Sequence, residues 1–188
     1  GGDREGAEVH WQGNLFLPFG KVRMGYPMGE NERGLMFIGR VICHDMPRSQ
    51  TSSPHLTSPV GEGYKDQIAQ ADFLFLRTGF WKKRKSDPSV YENNGPAVGS
   101  AAATYLRENF PNLKAIGLDF VSLASYSDGK DGDLAHQIML GMYQPGYICI
   151  VEDINMEELP EGFLKQAAAV PLIIVGIDSC PVTMWAEF

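Results

Sequence analysis

Chemistry in this chain has few residue types to draw on. The histidines are His10, His44, His55 and His136, and the cysteines are Cys43, Cys149 and Cys180. The cysteines are odd in number and form no CxxC-type pair, so neither a disulfide framework nor a cysteine-rich metal site is indicated. Two of them sit inside apolar, strand-like runs, where a free thiol behaves as a small hydrophobe. His55 falls in a polar loop and reads as solvated, and His44-Asp45 reads as core or edge structure. Ser122 follows a strand end, where sites often form, but no His/Asp pattern accompanies it to make a nucleophile. Glu152 and Asp153 are neighbouring carboxylates at another strand end. Successive strand residues point to opposite faces, so the two compete for any single carboxylate role. From the residues alone, His136 is a satisfied helix histidine and Glu152 a strand-end carboxylate.

Positioning these groups requires a scaffold, and hydrophobic periodicity outlines one. Strands are expected at Glu8 to Phe16, Leu35 to Asp45, Asp72 to Arg77, Ala115 to Asp119, Tyr147 to Glu152, Leu172 to Val175 and Val182 to Glu187. A helix is expected from about Gly95 to Asn109, with Pro96 near its first turn and Pro111 beyond its end. Another is expected from Asp133 to Tyr143, with Asp133 as N-cap and Pro145-Gly146 as terminator. The segment Arg48 to Gly63 is rich in Ser, Thr, Pro and Gly and reads as an exposed loop. Strands interspersed with helices give an α/β or α+β class with a mixed sheet.

Composition narrows the possibilities. The 188 residues suit a single domain, and 44% apolar with 21% charged residues is an ordinary globular balance. The net charge of −7 argues against broad electrostatic capture of nucleic acid or anionic membrane. The run Lys82-Lys83-Arg84-Lys85 is a local exception and reads as a solvated loop. No apolar run approaches a bilayer span and no secretory leader opens the sequence. With the unpaired cysteines, a reduced cytoplasmic setting is expected. The first residues, Gly1-Gly2, replace an initiator methionine, as in a processed, tagged or truncated chain.

Several separated segments, in order, resemble the cyclase family of metal-dependent hydrolases, which includes kynurenine formamidases. Arg77-Thr78-Gly79-Phe80-Trp81 resembles its RTGW segment, and Gly117-Leu118-Asp119-Phe120-Val121-Ser122 its GxDxxS strand end. His136 followed by Ile150-Val151-Glu152 resembles its His…Glu pair, and Pro171-Leu172, Gly176 to Ser179 and Pro181 resemble its closing motif. Upstream, Phe37 to Asp45 resembles the family strand FIGPAVVID. The resemblance runs from Val9 to Phe188, with the hairpin that usually precedes His10 short or absent. It implies a swivelling β/β/α fold, with a mixed sheet or barrel-like core and flanking helices. It also implies zinc or manganese as cofactor, a small-molecule substrate, and a homodimer or larger homo-oligomer.

The resemblance further implies a site. The family signature HxGTHxDxPxH supplies two histidines and an aspartate to the metal, plus a histidine for proton transfer. Here the matching stretch runs from His10 to Gly20, and aligning His10 and Pro18 puts Asn14, Phe16 and Gly20 at the other three positions. Pro18 to Phe37 then spans 19 positions, about the family's interval. His10, His136 and Glu152 remain as implied metal ligands, with His136 and Glu152 also as catalytic groups. Phe80, Trp81 and Ser122 are the implied substrate-binding residues, the two rings as an aromatic wall that could equally be core packing. Two functions compete: an arylformamidase-like amide or lactam hydrolase, and a catalytically decayed relative serving as a small-molecule binding or assembly module.

Overall fold

A computed structural model describes residues 8–16, 37–45, 64–171 and 179–188, the first two stretches through their backbone pairing. Seven strands form the frame: β1 (Glu8–Phe16), β2 (Phe37–Asp45), β3 (Phe73–Arg77), β4 (Ala115–Leu118), β5 (Cys149–Glu152), β6 (Gly162–Pro171) and β7 (Ser179–Glu187). They close into a barrel in the order β1-β5-β4-β3-β2-β6-β7. The pairs β2/β3, β3/β4 and β4/β5 are parallel, while β1 runs antiparallel to both β5 and β7, and β6 antiparallel to both β2 and β7. The mixed sheet and barrel-like core expected from sequence are therefore present.

Alternation along the parallel strands sends successive side chains into two separate cores. Phe73, Phe75, Ala115, Cys149 and Val151 join Leu164, Ala169, Val182, Met184 and Ala186 in one cluster, which fills the barrel. Gly117 belongs to that inward row: a Cβ there would stand 2.5 Å from the Phe75 ring, so only glycine fits. Leu74, Leu76, Ile116, Leu118 and Ile150 face outward and meet two helices, α4 (Ser100–Asn109) and α5 (Gly129–Met139). Three shorter helices, α1 (Lys65–Ile68), α2 (Lys83–Ser86) and α3 (Pro88–Asn93), occupy connections. No helix among the described residues is long and apolar enough to cross a membrane.

The differences from the expected elements have local causes. Residues 96–99 are buried and extended, pinned by the Val98 amide donating to the Leu123 carbonyl at 2.9 Å, so α4 starts at Ser100. The N-cap of α5 is Asp128, whose carboxylate accepts from the Asp131 amide, and Asp133 lies exposed within the helix. That helix ends at Met139, and the chain then turns through Gly141 at φ 81°. Strand β6 escaped the sequence pattern because alanine is depleted in strands. Yet Ala167, Ala168 and Ala169 are wholly buried there, where small side chains suit close packing. The basic run is helical rather than a loop: Lys82 ends a 3-10 turn (Phe80–Lys82) and the rest opens α2. Its three lysines are exposed as expected, but Arg84 turns inward. The expected strand Leu172 to Val175, the loop Arg48 to Gly63, and positions 17–20 lie outside the described residues.

Candidate functional site: a histidine and a sealed carboxylate

Glu152 is the last residue of β5 and lies on its outer face, two residues beyond Ile150. Burial leaves its side chain 3% exposed, and a carboxylate so sealed needs donors close by. The Leu123 amide supplies one, reaching Oε1 at 2.6 Å. His136 supplies the other contact, with Nε2 at 3.4 Å from the same oxygen. Leu123 is itself fixed, because its carbonyl accepts from Val98.

His136 lies one turn after Gly132 in α5, and its Nδ1 meets the Gly132 carbonyl at 2.9 Å. A carbonyl can only accept, so Nδ1 carries a proton, and Nε2 is left facing the carboxylate. The second proton of the pair therefore belongs between Nε2 and Oε1. Burial works against charge on the imidazole, but the bond to Glu152, the Gly132 carbonyl and nearby Asp133 outweigh it, raising its pKa above the ordinary histidine value. Its side chain is 17% exposed, so His136, not Glu152, is the member of the pair that a ligand can touch. Gly132 makes this approach possible, since a Cβ there would fall 2.3 Å from the Cβ of Ala124.

The RTGFW and GLDFVS segments of the chain interlock beside this pair. Asp119 is fully buried, and its carboxylate accepts from the Thr78 amide at 2.9 Å, the Thr78 hydroxyl at 2.7 Å and the Gly79 amide at 2.7 Å. Burial raises its pKa, with the three bonds working in the opposite direction. Gly79 takes φ 75°, a left-handed turn suited to glycine, and leads into Phe80 and Trp81. Phe80 stacks on Tyr91 of α3, with centroids 5.8 Å apart and planes 21° apart. Trp81 is partly exposed under the Lys82 ammonium, 5.6 Å from its ring centroid. Ser122 accepts from the Ala124 amide at 3.2 Å, a bond within its own turn. Sequence reasoning had no role for Asp119, Leu123 or Gly132; only the spacing of the GxDxxS segment pointed at the first.

Asp153, the competing carboxylate, turns elsewhere: its side chain meets Arg84 of α2 and the Tyr91 hydroxyl. On β1, Asn14 stands opposite Glu152 in register and Phe16 opposite Ile150. His10 stands opposite Trp185, four residues back along the same strand. Four steps of a regular strand span about 13 Å, so the backbone holds His10 well away from the Asn14 position. Among the described residues no three His, Cys, Asp or Glu side chains gather as a metal set. His44, His55 and Gly20 contribute no described side chain.

Sequence comparison places this architecture. A profile of the cyclase family, described as Putative cyclase, matches residues 32–125, half of the chain. The chain belongs to this family. The matched stretch carries Arg77 to Trp81 and Gly117 to Ser122, while His136 and Glu152 lie beyond it. An uncharacterized protein of Haemophilus influenzae is 34% identical over 99 residues, which is 53% of this chain and 68% of that protein. Among solved structures, isatin hydrolase A from Labrenzia aggregata bound to benzyl benzoate aligns with TM-score 0.65 at 18% identity, over 94% of this chain and 73% of that one. An isatin hydrolase bound to the product analogue thioisatinate gives 0.66 at 16% identity, covering 94% and 71%. A potential metal-dependent hydrolase with cyclase activity gives 0.58 at 20%, covering 94% and 79%. At these identities the cyclase fold is what is shared.

The raised His136 pKa has a directional consequence for folding. The pair contributes stability fully present below the unfolded histidine value near pH 6.5, lost as pH rises through the higher folded value. Titration of His136 followed by NMR is expected to give a midpoint above the ordinary histidine value, and Glu152→Gln to lower it. An unchanged midpoint in Glu152→Gln would show that the carboxylate does not hold the imidazolium.

Proposed function

We propose that this cyclase-family chain is a hydrolase-type protein acting on an amide or lactam bond of a small aryl compound, of the arylformamidase class. The observation that carries this reading is the partly exposed His136 backed by the sealed Glu152 carboxylate. With Nδ1 committed to Gly132, the proton the pair can give up is the one shared between Nε2 and Oε1, and a bound amide must approach that edge, where the imidazole is partly exposed. There His136 would protonate the leaving amine as general acid, with Glu152 holding the imidazolium until transfer. Solved relatives support the reaction class: two are isatin hydrolases and another a potential metal-dependent hydrolase. Phe80 and Trp81 would offer an aromatic surface to the aryl group and Ser122 a polar edge. A cytoplasmic setting is part of the same proposal.

Metal donors are few among the described residues. A zinc or manganese hydrolase centre takes three protein ligands and supplies an activated water. His136 and Glu152 are two, and the backbone sets His10 far from them, so the described donors do not fit such a centre. This shortage favours the second reading, a relative that keeps the fold as a small-molecule binding or assembly module and has lost turnover.

Calorimetric titration with zinc and manganese separates the two. On the second reading the unmodified chain binds either ion poorly and shows negligible formamidase activity, whereas hydrolysis of an aryl formamide by it upholds the first. The triple change Asn14→His, Phe16→Asp and Gly20→His is expected to gain measurable affinity. Tight, stoichiometric binding by the unmodified chain would overturn the decay reading. A folded triple variant that still binds nothing would show that the alignment of residues 9–20 is wrong.

Self-association belongs to the same proposal. The closed barrel leaves no strand edge to cover among the described residues, so contact would use a face. Tyr126, Leu134, Met142 and Tyr143 expose apolar surface on and around α5. Light scattering coupled to gel filtration should return at least twice the 20.7 kDa chain mass; a monomer mass at micromolar concentration would reject it.

A further inference from the structure

Asp153 follows Glu152 directly and takes φ 62°, the left-handed region that side chains other than glycine seldom adopt. Aspartate tolerates this region better than most side chains, and surrounding contacts hold it there. The Asp153 amide donates to the Phe120 carbonyl at 3.0 Å, and the next amide, Ile154, donates to the Leu118 carbonyl at 2.9 Å. The Arg84 guanidinium donates to the Asp153 carbonyl at 3.0 Å and also to its carboxylate. The Tyr91 hydroxyl donates to that same carboxylate and accepts from Arg84 at 3.1 Å. Tyr91 is buried, its ring stacked on Phe80 and capped by the Arg84 cation 5.3 Å from its centroid.

We propose that Arg84 and Tyr91 form a positioning clamp that, by fixing Asp153 in its left-handed turn, aims the Glu152 carboxylate at Leu123 and His136. The proposal rests on the reading of His136 and Glu152 as the working pair. Its logic is geometric. Two adjacent carboxylates leave the end of β5 in opposite directions, and the direction of one is set by what holds the other. An Asp153 released from the clamp would relax toward ordinary φ, rotating the peptide that follows Glu152 and withdrawing its oxygen from a 2.6 Å bond. Because Phe80 stacks on Tyr91, the same clamp couples the aromatic wall to the acid-base pair. A ligand pressing on Phe80 would be felt at Glu152. Arg84 and Tyr91 touch no reacting atom, so they are positioning residues.

The Leu123 amide reports the aim of Glu152 without any substrate. In the 188-residue chain, hydrogen exchange and amide shifts of Leu123 are compared between the unmodified protein, Tyr91→Phe and Asp153→Ala. Tyr91→Phe removes one hydroxyl and keeps the stacked ring; Asp153→Ala removes the carboxylate while keeping the Cβ that disfavours the left-handed turn. The clamp predicts Leu123 exchange roughly ten- to hundredfold faster in both variants, the loss of one hydrogen bond to a charged acceptor. The Gly79 amide, held by Asp119, should keep its protection in both. If Asp153→Ala leaves Leu123 protected, the clamp does not aim Glu152 and the proposal fails. If Gly79 and Leu123 lose protection equally, the effect is global and the proposal also fails. The hydrolase reading is judged separately: Leu123 responding in a chain that hydrolyses no aryl amide keeps the clamp and rejects the hydrolase. Hydrolysis with an unmoved Leu123 does the reverse.

Discussion

A carboxylate taken out of water must be given partners, and much of this structure around β5 is arranged to give them to Glu152. Its side chain is 3% exposed at the point where the parallel strands end and the helix layer begins. Isolated, such a charge would be neutralised or would not fold. The Leu123 amide and His136 meet the requirement, and each brings constraints of its own. Leu123 is tied to Val98, which forces residues 96–99 to stay extended and delays α4 to Ser100. His136 needs α5 close to the Ser122–Ser125 segment, which only a glycine at position 132 allows.

The first turn of α5 then links back to α4, because the Asp131 carboxylate accepts from the amide and hydroxyl of Ser100. Such an acceptor is favourable at a helix N-terminus, where amides lack partners. The two helices are thus registered against each other and against β5 by polar contacts, and the apolar cluster between them adds cohesion rather than direction. Asp119 does the same for the turn after β3, converting a buried carboxylate into three bonds that shape Thr78 and Gly79. Buried acids in this chain act mainly as organisers of loops.

How much of this could be read from sequence varies by element. Strand β1 was legible to its ends, and β3, β4 and β5 nearly so, because β-branched and aromatic runs bounded by turn residues have no good alternative. Strand β6 was not, since its alanine run carries no strand preference and its burial comes from neighbours distant in sequence. Helix starts were misplaced where a tertiary bond, Val98 to Leu123, competes with a local signal at Pro96. That His136 and Glu152 lie near each other, 16 residues apart in sequence, came only from family resemblance; neither residue type nor spacing points to it. The inward turn of Arg84 was hidden inside a run of four cations, three of which are solvated.

The central claim is that His136 and Glu152 work as one coupled unit. A double-mutant cycle with His136→Ala, Glu152→Gln and the double variant, measured by urea unfolding near pH 6, tests it most directly. A coupled, hydrogen-bonded pair in contact should give an interaction energy on the order of 1–3 kcal/mol, larger at pH 6 than at pH 9 as the imidazolium is lost. Additive single effects, with no coupling at either pH, would contradict the account.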